Sequence, residues 1–207
     1  MKNINAEFLF YFGSPNAYLS HKVLPGMEQR TGVKFEYVPV LLGGLFKLTG
    51  NRSPAESQTG IKNKPEYEKL ETSRFITRHG LTAFKWNPHF PVNTLQIMRG
   101  AVAAKHEDIF SEYVNAVFAG MWEQELKMDD PEVIRAALIN AGFDADKLIA
   151  RSQTTEIKEE LLSNTKSAFE RGAFGSPIFF VEGEIYFGKD RLRDVEEEII
   201  LRLNDGK

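Results

Sequence analysis

None of the 207 residues is cysteine. Whatever fold the chain adopts must therefore hold without disulfides, thiolate zinc sites or iron–sulfur clusters, and its chemistry cannot run through a thiol of its own. A chain of this length makes one domain, or one domain carrying an insertion, and buries a core without covalent staples. At 42% hydrophobic and 27% charged the composition is that of an ordinary globular protein. With 26 basic against 29 acidic side chains the net charge is −3. That balance lacks the basic excess of a nucleic-acid binder, so no nucleic-acid partner is expected. No apolar run reaches the ~18 residues of a membrane span, so no membrane partner is expected either. The start, Met1-Lys2-Asn3-Ile4-Asn5, lacks the apolar stretch of a signal peptide, and Asn204-Asp205-Gly206-Lys207 carries no recognisable anchor or address. Cytoplasmic residence is the resulting expectation.

The two ends of the chain read as strands and the middle as helices. Phe8-Leu9-Phe10-Tyr11-Phe12 is a short aromatic run, too short for a helix and typical of a buried strand. Ser14-Pro15 follows at once and reads as an N-cap with proline in the first helical position. Tyr18, Leu19 and Val23 then fall at helical spacing, Pro25 is expected to kink or end the helix, and Thr31-Gly32 closes it. Val33 to Val40 reads as a second strand, parallel to the first through a right-handed crossover. Gly43-Gly44, Gly50-Asn51 and Ser53-Pro54 mark a long loop or short helical pieces. Helical patterning starts near Pro65 and is clearest in the stripe Phe110, Tyr113, Val114, Val117, Phe118 and Met121. Asp130-Pro131 opens another helix that Gly142 ends, and Asp144 and Thr155 look like further starts. Ile178-Phe179-Phe180-Val181 and Ile185-Tyr186-Phe187, joined through Glu182-Gly183-Glu184, read as a hairpin. A last helix points Leu192, Val195, Ile199 and Leu203 inward.

The order βαβ, helical block, ββα builds one four-stranded mixed α/β sheet. That is the thioredoxin-like arrangement, with residues 1–45 plus 172–207 as a discontinuous domain and 46–171 as an all-helical insertion domain. In such a fold the chemistry belongs where the first strand gives way to the first helix. The unpaired N–H groups and partial positive charge of that helix start stabilise anions, thiolates included.

Four ordered segments then carry a resemblance. Phe12-Gly13-Ser14-Pro15-Asn16-Ala17-Tyr18-Leu19 resembles the active-site segment of 2-hydroxychromene-2-carboxylate isomerases, which are similar to kappa-class glutathione transferases within the larger disulfide-oxidoreductase group. Gly50-Asn51 matches the mid-chain glutathione contact of that family. Gly172-Ala173-Phe174-Gly175-Ser176-Pro177 resembles its cis-proline segment, and Phe187-Gly188-Lys189-Asp190-Arg191-Leu192 its FGxDRL signature. The resemblance runs from about Phe8 to Leu203. Four positions depart from the pattern. Ser14 and Ala17 stand where redox relatives carry Cys-x-x-Cys, so dithiol exchange is chemically impossible there. Tyr11 stands where the family often has Asp, and Ser176 replaces a bulkier residue.

The resemblance implies glutathione as the cofactor, a small aromatic or electrophilic substrate, and a homodimer. Glutathione would lie along the strand after Pro177 and pair with the backbone of Ser176. Pro15, Asn16 and Asn51 would contact the tripeptide. Lys189 and Asp190, at the start of the last helix, would hold its γ-glutamyl end. Ser14 would be the catalytic residue, donating its O–H to the glutathione sulfur. A hydrogen bond to a charged group is worth ~1.5–3 kcal/mol and a helix terminus ~0.3–1. Together these lower a thiol from ~8.5 to around 6–7. The implied reaction is cis–trans isomerisation of an aromatic side chain ending in pyruvate, by a borrowed sulfur nucleophile. Phe12, Trp86, Asn87 and Phe90 are the expected substrate-pocket walls.

Plainer readings stand beside these. Ser14 also reads as an N-cap alone, Asn51 as a turn residue, Asp190 as an N-cap, and Lys189, Arg191 and Arg193 as a solvated face. His21, His79, His89 and His106 lack metal-ligand spacing, so no metal is expected. The Phe110–Met121 stripe reads as core or dimer interface. Two other functions stay open: a kappa-like transferase or peroxidase acting on other electrophiles, and a binding module without turnover.

Overall fold

The computed structural model describes residues 4–58 and 60–205. The terminal residues 1–3, 206 and 207, read above for a leader or an address, lie outside the described residues. The sheet runs in the order β2-β1-β3-β4. β1 (Ala6–Phe10) pairs in parallel with β2 (Phe35–Pro39) and antiparallel with β3 (Ile178–Val181), which pairs antiparallel with β4 (Glu184–Phe187).

All five residues of β1 are buried. Side chains alternate across a strand, so Ala6, Phe8 and Phe10 face one side and Glu7 and Leu9 the other. Both sides are covered, which is why the run is nearly all apolar. One face packs in the same core as Leu19, Met98, Phe118 and Val195. On the other, Leu9 and Phe180 meet Leu45 and Ala168. The polar exception is Glu7. Its carboxylate takes two bonds from the Arg171 guanidinium, both of 2.6 Å, and that guanidinium lies 4.1 Å from the centroid of the Phe180 ring.

The helices are α1 (Pro15–Thr31), α2 (Leu42–Thr49), α3 (Pro54–Ser57), α4 (Lys64–His79), α5 (Leu95–His106), α6 (Phe110–Trp122), α7 (Pro131–Asn140), α8 (Ala145–Ser152), α9 (Thr155–Glu170) and α10 (Leu192–Asn204). Caps fall where the chemistry asks for them. The Asp130 side chain accepts from Glu132 and Val133 N–H, the Asp144 side chain from Lys147 N–H, and Gly32 ends α1 at φ 73. The helices between β2 and β3 do not form a separate core. Met98, Val102, Tyr113, Val117 and Phe118 share one cluster with Phe8, Phe10 and Leu19. The Phe110–Met121 stripe is therefore core. Among the described residues no helix is long and apolar enough to cross a membrane.

Several expectations change. α1 runs through Pro25 to Thr31. Pro25 sits on the exposed side, while buried Leu24 and Met27 hold the helix to the core, so packing overrides the missing donor. β1 stops at Phe10, leaving Tyr11 and Phe12 in the turn that follows, and β2 shortens to the five residues that β1 can pair. Of the two readings of the glycine-rich stretch after β2, short helical pieces hold, as α2 and α3. Asp190 does not cap the last helix: it lies in a single 3-10 turn, Lys189–Arg191, and α10 begins after Arg191 with no side-chain cap.

Candidate active site

The turn between β1 and α1 is braced by several hydrogen bonds. Ser14 N–H bonds Tyr11 C=O at 3.0 Å. Phe12 N–H meets Met98 Sδ at 3.4 Å, and Trp122 Nε1–H donates to Phe12 C=O at 2.8 Å. A Cβ on Gly13 would stand 2.6 Å from Tyr11 Cε1 and 3.2 Å from Thr94 Cγ2, so glycine is the residue that fits. Met98, Thr94 and Trp122 come from α5, its cap and α6. The helical block thus braces the turn directly.

Ser14 has two roles in this turn. Its Oγ accepts from Ala17 N–H at 3.2 Å, which caps α1, and its hydroxyl donates to Ser176 C=O at 3.2 Å. The first turn of α1 carries no acidic side chain. Pro15 has no N–H, and those of Ala17 and Tyr18 are bonded to Ser14. Among the described residues the Asn16 N–H has no acceptor beside the Ser14 hydroxyl. Together these give a buried hydroxyl, an unpaired amide donor and the positive end of a 17-residue helix, three features that stabilise an anion.

Ser176 approaches Ser14 across 162 positions of sequence. The Ser176–Pro177 peptide is cis, and Pro177 C=O accepts from Gly188 N–H at 3.0 Å. Asn51 joins this segment from the end of α2. Its Nδ2 donates to Phe174 C=O at 3.0 Å and its Oδ1 accepts Arg52 N–H at 2.8 Å, so it braces the loop ahead of the cis bond. Ser14, Asn16, Asn51, Ser176 and Pro177 thus lie around one locus.

Lys189 behaves differently from the expected solvated cation. It is buried, its ammonium lies 5.1 Å from the Phe75 ring centroid beneath α4, and it pairs with Asp190 Oδ1 at 2.5 Å. The Asp190 side chain is 68% exposed, so the carboxylate is the half of this pair that faces outward.

The four pocket-wall residues separate. Phe12 is fully buried, its ring 4.9 Å from Phe118, and is core. Asn87 is buried as a strut: Nδ2 donates to Met121 and Leu126 C=O at 2.9 and 2.8 Å, and Oδ1 accepts His89 N–H at 2.8 Å. Trp86 and Phe90 are 51% and 43% exposed. Phe90 packs 5.9 Å from Trp122; Trp86 packs 5.3 Å from Phe84, which stacks 6.1 Å from the same indole. The exposed pair therefore rests on a buried platform that is itself hydrogen-bonded two residues before Ser14. Sequence reasoning missed Trp122 and Met98 as braces. Only the apolar stripe hinted at burial there, and nothing local marks a contact 110 or 86 positions away.

Further along α1, His21 is buried. Its Nε2–H donates to Asn115 Oδ1 at 2.9 Å, which leaves Nδ1 to accept the Tyr37 hydroxyl at 3.0 Å, and the ring stacks 5.0 Å from Phe118. Burial pushes the imidazole down to about 4; the Asn115 bond opposes the shift and Lys22 adds to it.

Comparison with known proteins places this geometry. A family model described as "DSBA-like thioredoxin domain" matches residues 7–200. The 2-hydroxychromene-2-carboxylate isomerase of Sphingobium xenophagum is 27% identical over 194 residues, 94% of this chain and 97% of that protein. Glutathione S-transferase kappa 1 of Homo sapiens is 25% identical over 204 residues, 90% of this chain and 86% of that one. A solved 2-hydroxychromene-2-carboxylate isomerase superposes with a TM-score of 0.80 at 26% identity, covering 97% of this chain and 98% of the other.

Proposed function

We propose that this chain, which belongs to the DSBA-like thioredoxin domain family, is an enzyme of its isomerase and transferase branch, and specifically a glutathione-dependent cis–trans isomerase of 2-hydroxychromene-2-carboxylate type. The observation that carries the reading is the Ser14 hydroxyl. It stands at the start of α1, where redox relatives carry a thiol, and points at the carbonyl before cis-Pro177.

The residues suit a tripeptide thiol. A sulfur anion beside Ser14 would meet the Asn16 N–H, and also the Ser14 hydroxyl once its one proton turns from Ser176 C=O to the sulfur, with no first-turn carboxylate to oppose it. Pro15 sets the start of α1 and leaves the Asn16 N–H as the first donor of the helix. The Ser176 carbonyl, released when the Ser14 proton turns to the sulfur, can accept a peptide N–H, and Asn51 keeps the preceding loop in place. The exposed Asp190 carboxylate suits an ammonium group. Lys189 is turned away under α4, so its part is to hold Asp190 and not the ligand. When bound, glutathione supplies a sulfur nucleophile to the conjugated double bond and is recovered unchanged. Ser14 shares its proton with the sulfur anion, which lowers the thiol pKa. Trp86 and Phe90 give an aromatic substrate two exposed faces to stack on.

The kappa relatives favour conjugation to an electrophile as the second reading. Product analysis separates the two. With an arylidene pyruvate and catalytic glutathione, the isomerase reading predicts that the two isomers interconvert and that the glutathione is fully recovered. Stoichiometric loss of glutathione into a conjugate would assign the transferase reading instead. Neither turnover nor glutathione binding would leave a binding module.

A further inference from the structure

A cleft of about 220 Å³ lies where the start of α5, the loop before α7 and the corner between α8 and α9 meet. Its walls are Asn93, Leu95, Gln96, Arg99, Asp129 and Gln153. Only Leu95 is apolar, which is unusual for a hollow this size. Arg99 is half-buried, and no carboxylate or carbonyl among the described residues pairs with its guanidinium. The side-chain amide of Gln96 likewise has no partner. Asp129, by contrast, is only partly engaged, its buried Oδ1 making an ion pair but no hydrogen bond among the described residues. Its Oδ2 accepts Asn93 N–H at 3.3 Å and its Oδ1 lies 3.0 Å from Lys127 Nζ.

We propose that this cleft is a second binding site, for a small polar monocarboxylate of the 2-oxo or 2-hydroxy acid class. A planar guanidinium takes a carboxylate through two parallel bonds, and a partly desolvated cation without a partner gains most from one. One free cation matches one negative charge. The Asp129 carboxylate on the same walls opposes a second, which disfavours a phosphate dianion. The amides of Gln96 and of Gln153, the latter already giving one weak bond to Ser152 Oγ at 3.4 Å, can serve an oxo or hydroxyl oxygen next to the carboxylate. None of the six residues belongs to the proposed glutathione site, so the inference stands apart from that reading.

Pyruvate and inorganic phosphate, titrated separately into the ¹⁵N-labelled full chain, test it. Pyruvate is expected to shift the backbone amides of Gln96, Arg99 and Gln153 saturably, and to do so more tightly than phosphate. Arg99→Gln is expected to weaken pyruvate at least about tenfold, with its own spectrum reporting that the fold is kept and its glutathione titration unchanged. Absence of saturable shifts, an Arg99→Gln affinity equal to the parent's, or tighter binding of phosphate would each overturn the proposal.

Discussion

Replacing Ser14 by alanine is expected to cut turnover about 10- to 100-fold, the worth of one hydrogen bond to a charged group. It is also expected to lower stability by about 1 kcal/mol, the worth of an N-cap. Two effects are expected because the one hydroxyl does two things: its oxygen accepts from Ala17 N–H, and its proton, which meets Ser176 C=O in the free chain, turns to the sulfur anion when glutathione binds. Ser14→Thr keeps an acceptor and a donor in place, so it should recover most of both losses. The check is kcat/KM at saturating glutathione beside the denaturant midpoint for the three proteins. Full turnover in the alanine variant would remove Ser14 from the chemistry and leave it a cap.

Stability is expected to fall by about 3 kcal/mol as pH drops from about 6.5 to about 4, through His21 alone. In the folded chain burial pushes the imidazole down to about 4 from 6.5, so it stays neutral over that window. In the unfolded chain it takes up a proton below about 6.5. The unfolded state then binds more protons than the folded one, so acid favours unfolding. This contribution is complete above the unfolded value and is lost as pH falls towards the folded one. Protonation would also remove the lone pair that accepts the Tyr37 hydroxyl and so loosen α1 from β2. His21→Gln cannot titrate. It should be less stable than the parent at pH 7, with the gap closing as the solution is acidified; a gap independent of pH would contradict the assignment.

Local chemistry made the frame of the fold legible. The aromatic run of β1, Ser14-Pro15 at the start of α1, and Asp130-Pro131 before α7 each state their conformation within a few residues. The sheet followed from element order alone. Pro25 was misleading because its local penalty is set against the burial of Leu24 and Met27, which a propensity argument does not weigh. The candidate site was legible where a motif named its residues, as with Ser14, Asn51 and Ser176. It was opaque where a side chain's direction depends on a distant helix. Lys189 looks like a surface cation in sequence, yet Phe75 of α4 covers it. Asn87 looks like a loop residue, yet it holds the carbonyls of Met121 and Leu126. Trp122 carries no local mark of the bond it gives to Phe12.

The central claim, that a chain without cysteine ionises a thiol it borrows, is tested most directly by ultraviolet titration of glutathione in the presence of saturating protein. The account predicts that the absorbance of ionised sulfur rises with a midpoint at about pH 6–7 for the parent chain, and at clearly higher pH for Ser14→Ala. A midpoint at the ~8.5 of a free thiol in both proteins would contradict it.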